Sequence, residues 1–172
     1  MKTLRSIIKW LLLIWGAISA LGVLTIVGLI AYQSLNHSGK ADTKDVRFVL
    51  NWCNLGDERI EEVIKSYESA RSFTGDHLDA YSIKISHVDS LELQSDDWQR
   101  VDEATGVYKE AIDFMSGWLH EIPWFPEVDG DDADKYYIYL WGIDFHGNKP
   151  VSASIILVRP EDNMIFYFES VM

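Results

Sequence analysis

Hydrophobic side chains run without a charge from Trp10 to Tyr32, and then give way to periodic patterns. The run reads WLLLIWGAISALGVLTIVGLIAY, with Ser19 and Thr25 as its only polar side chains before Tyr32. Both hydroxyls can return to the helix backbone. About 20 apolar residues at about 1.5 Å each cross the hydrocarbon core of a bilayer, and a helix satisfies its own backbone there. Trp10, Trp15 and Tyr32 stand toward the ends, where aromatic rings favour the interface. The pattern predicts one transmembrane anchor within 1–32. A cleaved signal peptide is the competing reading, with Lys2, Arg5 and Lys9 as its basic start and Ala17-Ile18-Ser19 as a weak cleavage site. The apolar stretch outruns the about 7–15 residues of a signal core, which favours retention.

Residues 33–45 are polar, contain Gly and Ser, and show no period, as in a flexible tether. Beyond them, 46–172 reads as one domain. Val46, Phe48, Leu50 and Trp52 alternate with polar or smaller neighbours, which predicts a strand. Gly56-Asp57-Glu58 then opens a predicted helix over 57–72, its core stripe formed by Ile60, Val63, Ile64, Tyr67 and Ala70. Tyr81, Ile83 and Ile85 alternate with Ser82, Lys84 and Ser86, predicting a second strand with one wet face. Residues 89–100 read as a loop. A second helix is expected from about Asp102 to His120, with Tyr108, Ala111, Ile112, Met115 and Leu119 on its buried side, stopped by Ile122-Pro123.

The last third differs. Tyr136 to Phe145 is apolar on both alternating faces, as in an interior strand. Two further strands, 151–158 and 164–171, come after short turns and complete an antiparallel meander. The expected order is β-α-β-α-β-β-β. The fold class is α+β, an antiparallel or mixed sheet with two helices on one face, preceded by the transmembrane helix.

Charge sets the orientation and narrows the partners. Lys2, Arg5 and Lys9 precede the apolar run, while Lys40, Lys44 and Arg47 come after it at a distance, mixed with Asp42 and Asp45. Basic residues close to a span favour the cytoplasmic side, which puts 33–172 outside. That part holds 12 of the 15 Lys and Arg and all 27 Asp and Glu, for a formal charge of −15. Such a surface disfavours nucleic acid and anionic lipid, and suits solubility, cations or a basic protein partner. Gly16, Ala20 and Gly28 share one row of the anchor and would allow weak homo-association, although small residues are common in membrane helices.

Cys53 is the single cysteine, so no intrachain disulfide is possible; its apolar setting reads as a buried thiol. The loop from Glu127 to Asp134 invites a calcium reading, but counted from Asp129 the sixth position is Asp134 rather than Gly and the twelfth is Leu140 rather than Glu. Its acids Asp129, Asp131, Asp132 and Asp134 are expected on a solvated, partner-facing loop. His77 with Asp79, and Asp144 with His146, are pairs suited to a metal or a general base. They lack the spacing of a helical zinc motif, and no cofactor is expected. Ser72, Thr74, Asp76 and His77 hold nucleophile-type atoms in sequence, without a nucleophile elbow or a phosphate-cradling glycine loop.

Ile122-Pro123-Trp124-Phe125-Pro126 brackets two large aromatics between prolines. Folded back, Trp124 and Phe125 would cap the core beside Trp118. Turned outward, they would anchor an interface. The leading expectation is a membrane-anchored, extracytoplasmic binding module of the envelope-inhibitor or immunity type. The alternative is a small membrane-tethered hydrolase or metal-dependent enzyme using His77/Asp79 or Asp144/His146.

Overall fold

The structure, a computed structural model, describes residues 10, 13–16, 18–28, 41–89, 91–128, 130 and 132–172. The chain divides into two units, Met1–Ser38 and Gly39–Met172. In the first, residues 10, 13–16 and 18–28 are helical with exposed side chains, and the Thr25 hydroxyl donates to the Leu21 carbonyl at 2.9 Å. Among the described residues no helix is long and apolar enough to cross a membrane. Residues 11, 12, 17 and 29–32 of the expected span lie outside them.

The second unit is an α+β fold around one antiparallel sheet. Its strands are β1 (Ile60–Glu68), β2 (His77–Ile85), β3 (Trp98–Arg100), β4 (Tyr137–His146), β5 (Lys149–Arg159) and β6 (Met164–Val171). They lie in the order β1-β2-β6-β5-β4-β3. The expected meander is present as β4, β5 and β6, with Gly147 at φ 64° in the β4–β5 turn. Helix α1 (Arg47–Trp52) and helix α2 (Val107–Ser116) cover opposite faces rather than one. Alternation along the strands shows this. Ile83, Ile156, Val158, Ile165 and Tyr167 pack with Val49 and Leu50 of α1, while Ala80, Ile155, Leu157, Phe166 and Phe168 pack with Ala111, Ile112 and Met115 of α2. A sheet covered on both sides needs strands apolar in both directions, which is the pattern of β5 and β6. For the same reason the positions of β2 expected to be wet are so only toward its end: Ser82 is buried, Lys84 half-buried and Ser86 exposed.

Two expected elements exchange identity. The segment 46–52 is a helix rather than a strand. Val46, Val49, Leu50 and Cys53, all buried, recur at i, i+3, i+4 and i+7, a helical spacing that competes with the alternation over so short a window. The segment 57–72 is not a helix. After one 3₁₀ turn at Asp57–Arg59 it becomes β1, at the edge of the sheet. The pairing with β2 shifts between Ile60 and Glu62 and again between Val63 and Lys65. Each bulge inserts a residue, so the positions aligned with the α1-side residues of β2 become Ile60, Val63, Ser66 and Glu68. Bulges thereby counterfeited the helical stripe, and Ile64 is 39 % exposed.

The second helix is shorter than expected. α2 starts at Val107 after Gly106 (φ 56°) and ends at Ser116, with turns continuing toward Glu121. Its expected buried stripe holds, with Ala111, Ile112 and Met115 inside. The 89–100 segment contributes β3 and a 3₁₀ turn at Glu92–Gln94. Arg59 ties that turn to the start of β1, donating from Nη1 and Nη2 to the two Glu92 carboxylate oxygens at 2.6 and 2.7 Å. This bidentate bond pulls the Glu92 carboxyl down to about 2.

Candidate functional site

The α1 face has an apolar half and a polar end. Under α1 the sheet carries Tyr81, Ile83, Ile85, Ile156 and Tyr167. One step further along the strands the register aligns Glu68 on β1, Asp79 on β2, Glu169 on β6 and Ser154 on β5 as direct neighbours. Three carboxylates therefore stand side by side across three adjacent strands. Like charges placed directly opposite each other destabilise a sheet, so this row calls for cations.

His77, at the start of β2, supplies the nearest imidazole. Its Nδ1 lies 2.8 Å from the Gly75 carbonyl oxygen. A carbonyl only accepts, so Nδ1 is the donor and Nε2 is left to face the acids. Nε2 stands 3.5 Å from Glu169 Oε2 and 3.9 Å from Asp79 Oδ2. Ligand-type atoms of His77, Asp79 and Glu169 all lie within 4.8 Å of one another. The side chains of His77 and Asp79 are 10 % and 9 % exposed, and that of Glu169 is 25 % exposed.

The remaining contacts are few. Arg71 Nη2 reaches Asp79 Oδ2 at 3.3 Å from an exposed position. Ser154 Oγ donates to Glu169 Oε1 at 3.2 Å, and the Tyr81 hydroxyl donates to Glu68 Oε1 at 2.8 Å. Burial pushes the Asp79 carboxyl above the usual carboxylate range. His77 and Arg71 pull it back, and Glu68 and Glu169 push it further up. Tyr167 is fully buried, and its hydroxyl lies toward Glu169 without closing a full hydrogen bond to it. Burial, and then the charge of Glu169, raise the cost of ionising it. Its ring stacks on Tyr81 at 5.7 Å and 13°. Beyond it, Trp52 of α1 stacks on Trp141 of β4 at 4.7 Å and 4°. A cleft of about 500 Å³ opens at this end of the sheet; His77 and Asp76 line it, and Asp79 and Glu169 do not.

Of the sequence-derived pairs, His77 and Asp79 come together, and Asp144 and His146 do not join them. Asp144 accepts from Ser152 Oγ at 2.8 Å, His146 pairs across the hairpin with Lys149, and both are exposed. Ser72, Thr74 and Asp76 hydrogen-bond among themselves in the exposed β1–β2 turn. Phe125 is 4 % exposed and packs edge-on against Phe166 and Phe168, so it is a core residue and not an outward anchor. Trp124 is half-buried against the same cluster. Asp132 pairs with Lys135, and Asp134 is exposed; Asp129 and Asp131 lie outside the described residues. Sequence reasoning missed Glu68, Tyr167 and Glu169. The Tyr167–Glu169 spacing puts both on one strand face, but only the β2–β6 pairing brings them to Asp79.

Cys53 closes α1, 2 % exposed, with Sγ donating to the Val49 carbonyl at 3.3 Å. Burial pushes its thiol up to about 12, so it stays neutral and unreactive near pH 7. Thiol labelling is expected to be negligible in the native protein and rapid in denaturant; fast native labelling would contradict the packing of α1.

Comparison with protein-family models, curated proteins and solved structures gives no match in any of the three.

Proposed function

We propose that this chain is a single-pass membrane-anchored protein whose acidic α+β domain is a binding module on the extracytoplasmic side. On this reading Trp10 to Tyr32 hold the bilayer, and the basic residues ahead of them keep the N-terminus inside. The domain takes a cationic ligand or a basic protein partner, in the manner of an envelope inhibitor or immunity-type protein. The observation that carries the reading is the Glu68–Asp79–Glu169 row. An arrangement of like charges that costs stability by itself becomes favourable once a positive group sits over it. The −15 charge of 33–172 would steer such a partner toward the domain. A second reading, a metal-dependent enzyme, draws on the convergence of His77 with Asp79 and leaves Asp144 and His146 without a role.

The test uses the full chain in zwitterionic nanodiscs and an oligolysine peptide as probe. Association should slow markedly between about 50 and 500 mM salt, as the Debye length shrinks from above 10 Å toward a few ångströms. A variant with Glu68→Gln, Asp79→Asn and Glu169→Gln should bind more weakly than one carrying Glu103→Gln, Asp113→Asn and Glu121→Gln, which removes as much charge from elsewhere. Equal losses would mean that the row has no special part.

A further inference from the structure

We propose that His77, Asp79 and Glu169 form a binding site for a divalent transition-metal ion of the zinc type. The inference rests on the reading of the acid row as a cation-recognising surface and names its small-ion occupant.

Geometry supports the ion first. Zinc binds His nitrogen and carboxylate oxygen at about 2.0–2.2 Å, which puts the ligand atoms of a tetrahedron about 3.4 Å apart. The His77 Nε2–Glu169 Oε2 and His77 Nε2–Asp79 Oδ2 separations are 3.5 and 3.9 Å, and all the ligand-type atoms lie within 4.8 Å of one another, so a bound ion would draw the two carboxylates inward toward the imidazole. The ring orientation is suitable as well. Metal-bound histidines commonly donate their other ring N–H to a carbonyl or carboxylate, and the Gly75 carbonyl takes that role for Nδ1. Ser154 similarly holds Glu169 through the oxygen that does not face His77.

A second observation lies beside the acids. The buried Tyr167 hydroxyl, on the same strand face as Glu169, lies toward it without closing a full hydrogen bond, and its ring stacks on Tyr81, whose own hydroxyl donates to Glu68. A buried hydroxyl left short of a full hydrogen bond is costly. A metal that fixes Glu169, or a water bound to it, would complete that bond. One nitrogen and two carboxylates are too few and too mixed for Ca²⁺, which takes 6–8 oxygens, and they suit zinc with an open position for water or a partner's side chain. Arg71, at 3.3 Å from Asp79, is the resident competitor for the same oxygen.

The test is calorimetric titration of the metal-stripped full chain in zwitterionic nanodiscs with Zn²⁺, and separately with Ca²⁺. One equivalent of Zn²⁺ should bind, and Ca²⁺ should bind far more weakly. His77→Gln, Asp79→Asn and Glu169→Gln should each weaken Zn²⁺ at least about 10-fold, a loss expected of altered metal shells. His120→Gln, at an exposed histidine elsewhere, should change nothing. Arg71→Gln should tighten binding, because it removes a competing cation. Asp79→Asn should also raise the melting temperature of the metal-free protein, which separates lost ligation from lost folding. Zinc binding that survives in the His77→Gln variant, or Ca²⁺ binding as tight as Zn²⁺ binding, would overturn the site. If Zn²⁺ fails to bind while the oligolysine probe still depends on Glu68, Asp79 and Glu169, the metal inference falls and the cation-recognising row stands. If neither depends on them, both fall.

Discussion

Phe125→Ala is expected to destabilise the domain by about 3–5 kcal/mol, the range for deleting a buried aromatic ring. Phe125 packs edge-on against Phe166 at 5.8 Å and Phe168 at 6.2 Å and is 4 % exposed. The two prolines around it hold the loop over the α2 face of the sheet, so collapse of the cavity is resisted by the backbone. Trp124→Ala should cost clearly less, because Trp124 is only half-buried. Denaturant titration of the full chain, read by far-ultraviolet circular dichroism, measures both. A Phe125→Ala cost below about 1 kcal/mol would mean that the ring is not in the core and would return it to the surface as an interface anchor.

The second large effect separates the two exchanged elements. Leu50→Ala should destabilise by about 2–5 kcal/mol, since Leu50 is fully buried in α1 against the sheet. Ile64→Ala should stay within about 0.5 kcal/mol, as ordinary surface changes do. Were 57–72 a helix packed through its apparent stripe, Ile64→Ala would cost about as much as Leu50→Ala. The comparison therefore reads the structure of 57–72, with Leu50 as the buried reference.

How much of the fold could be read from the chain depends on where each pattern came from. β4, β5, β6 and the stripe of α2 were legible, because each is a regular element whose buried positions recur at its own period. The first two elements of the domain were not. Six residues of α1 are fewer than two helical turns, and within them alternation and helical spacing select overlapping positions. In β1, two bulges convert a period of two into intervals of three, the interval a helix would show. The placement of the helices on opposite faces was likewise hidden, since a strand apolar on both sides does not say which helix covers which side.

The site divides in the same way. His77 and Asp79 are near neighbours in sequence, on one strand face, and were visible as a candidate pair. Glu68 and Glu169 were not, because each is an ordinary acid until β1 and β6 are laid beside β2. By itself the sequence determined the apolar N-terminal run, the acidity of residues 33–172, the α+β class and the terminal meander; these depend on composition and local period, which the chain carries in every conformation. Only the tertiary structure decided that α1 is a helix and β1 a bulged edge strand, that Phe125 is core, and that three carboxylates line up across β1, β2 and β6 with an imidazole beside two of them. Those outcomes depend on hydrogen-bond register between strands far apart in sequence, and register is fixed by which faces can be buried together.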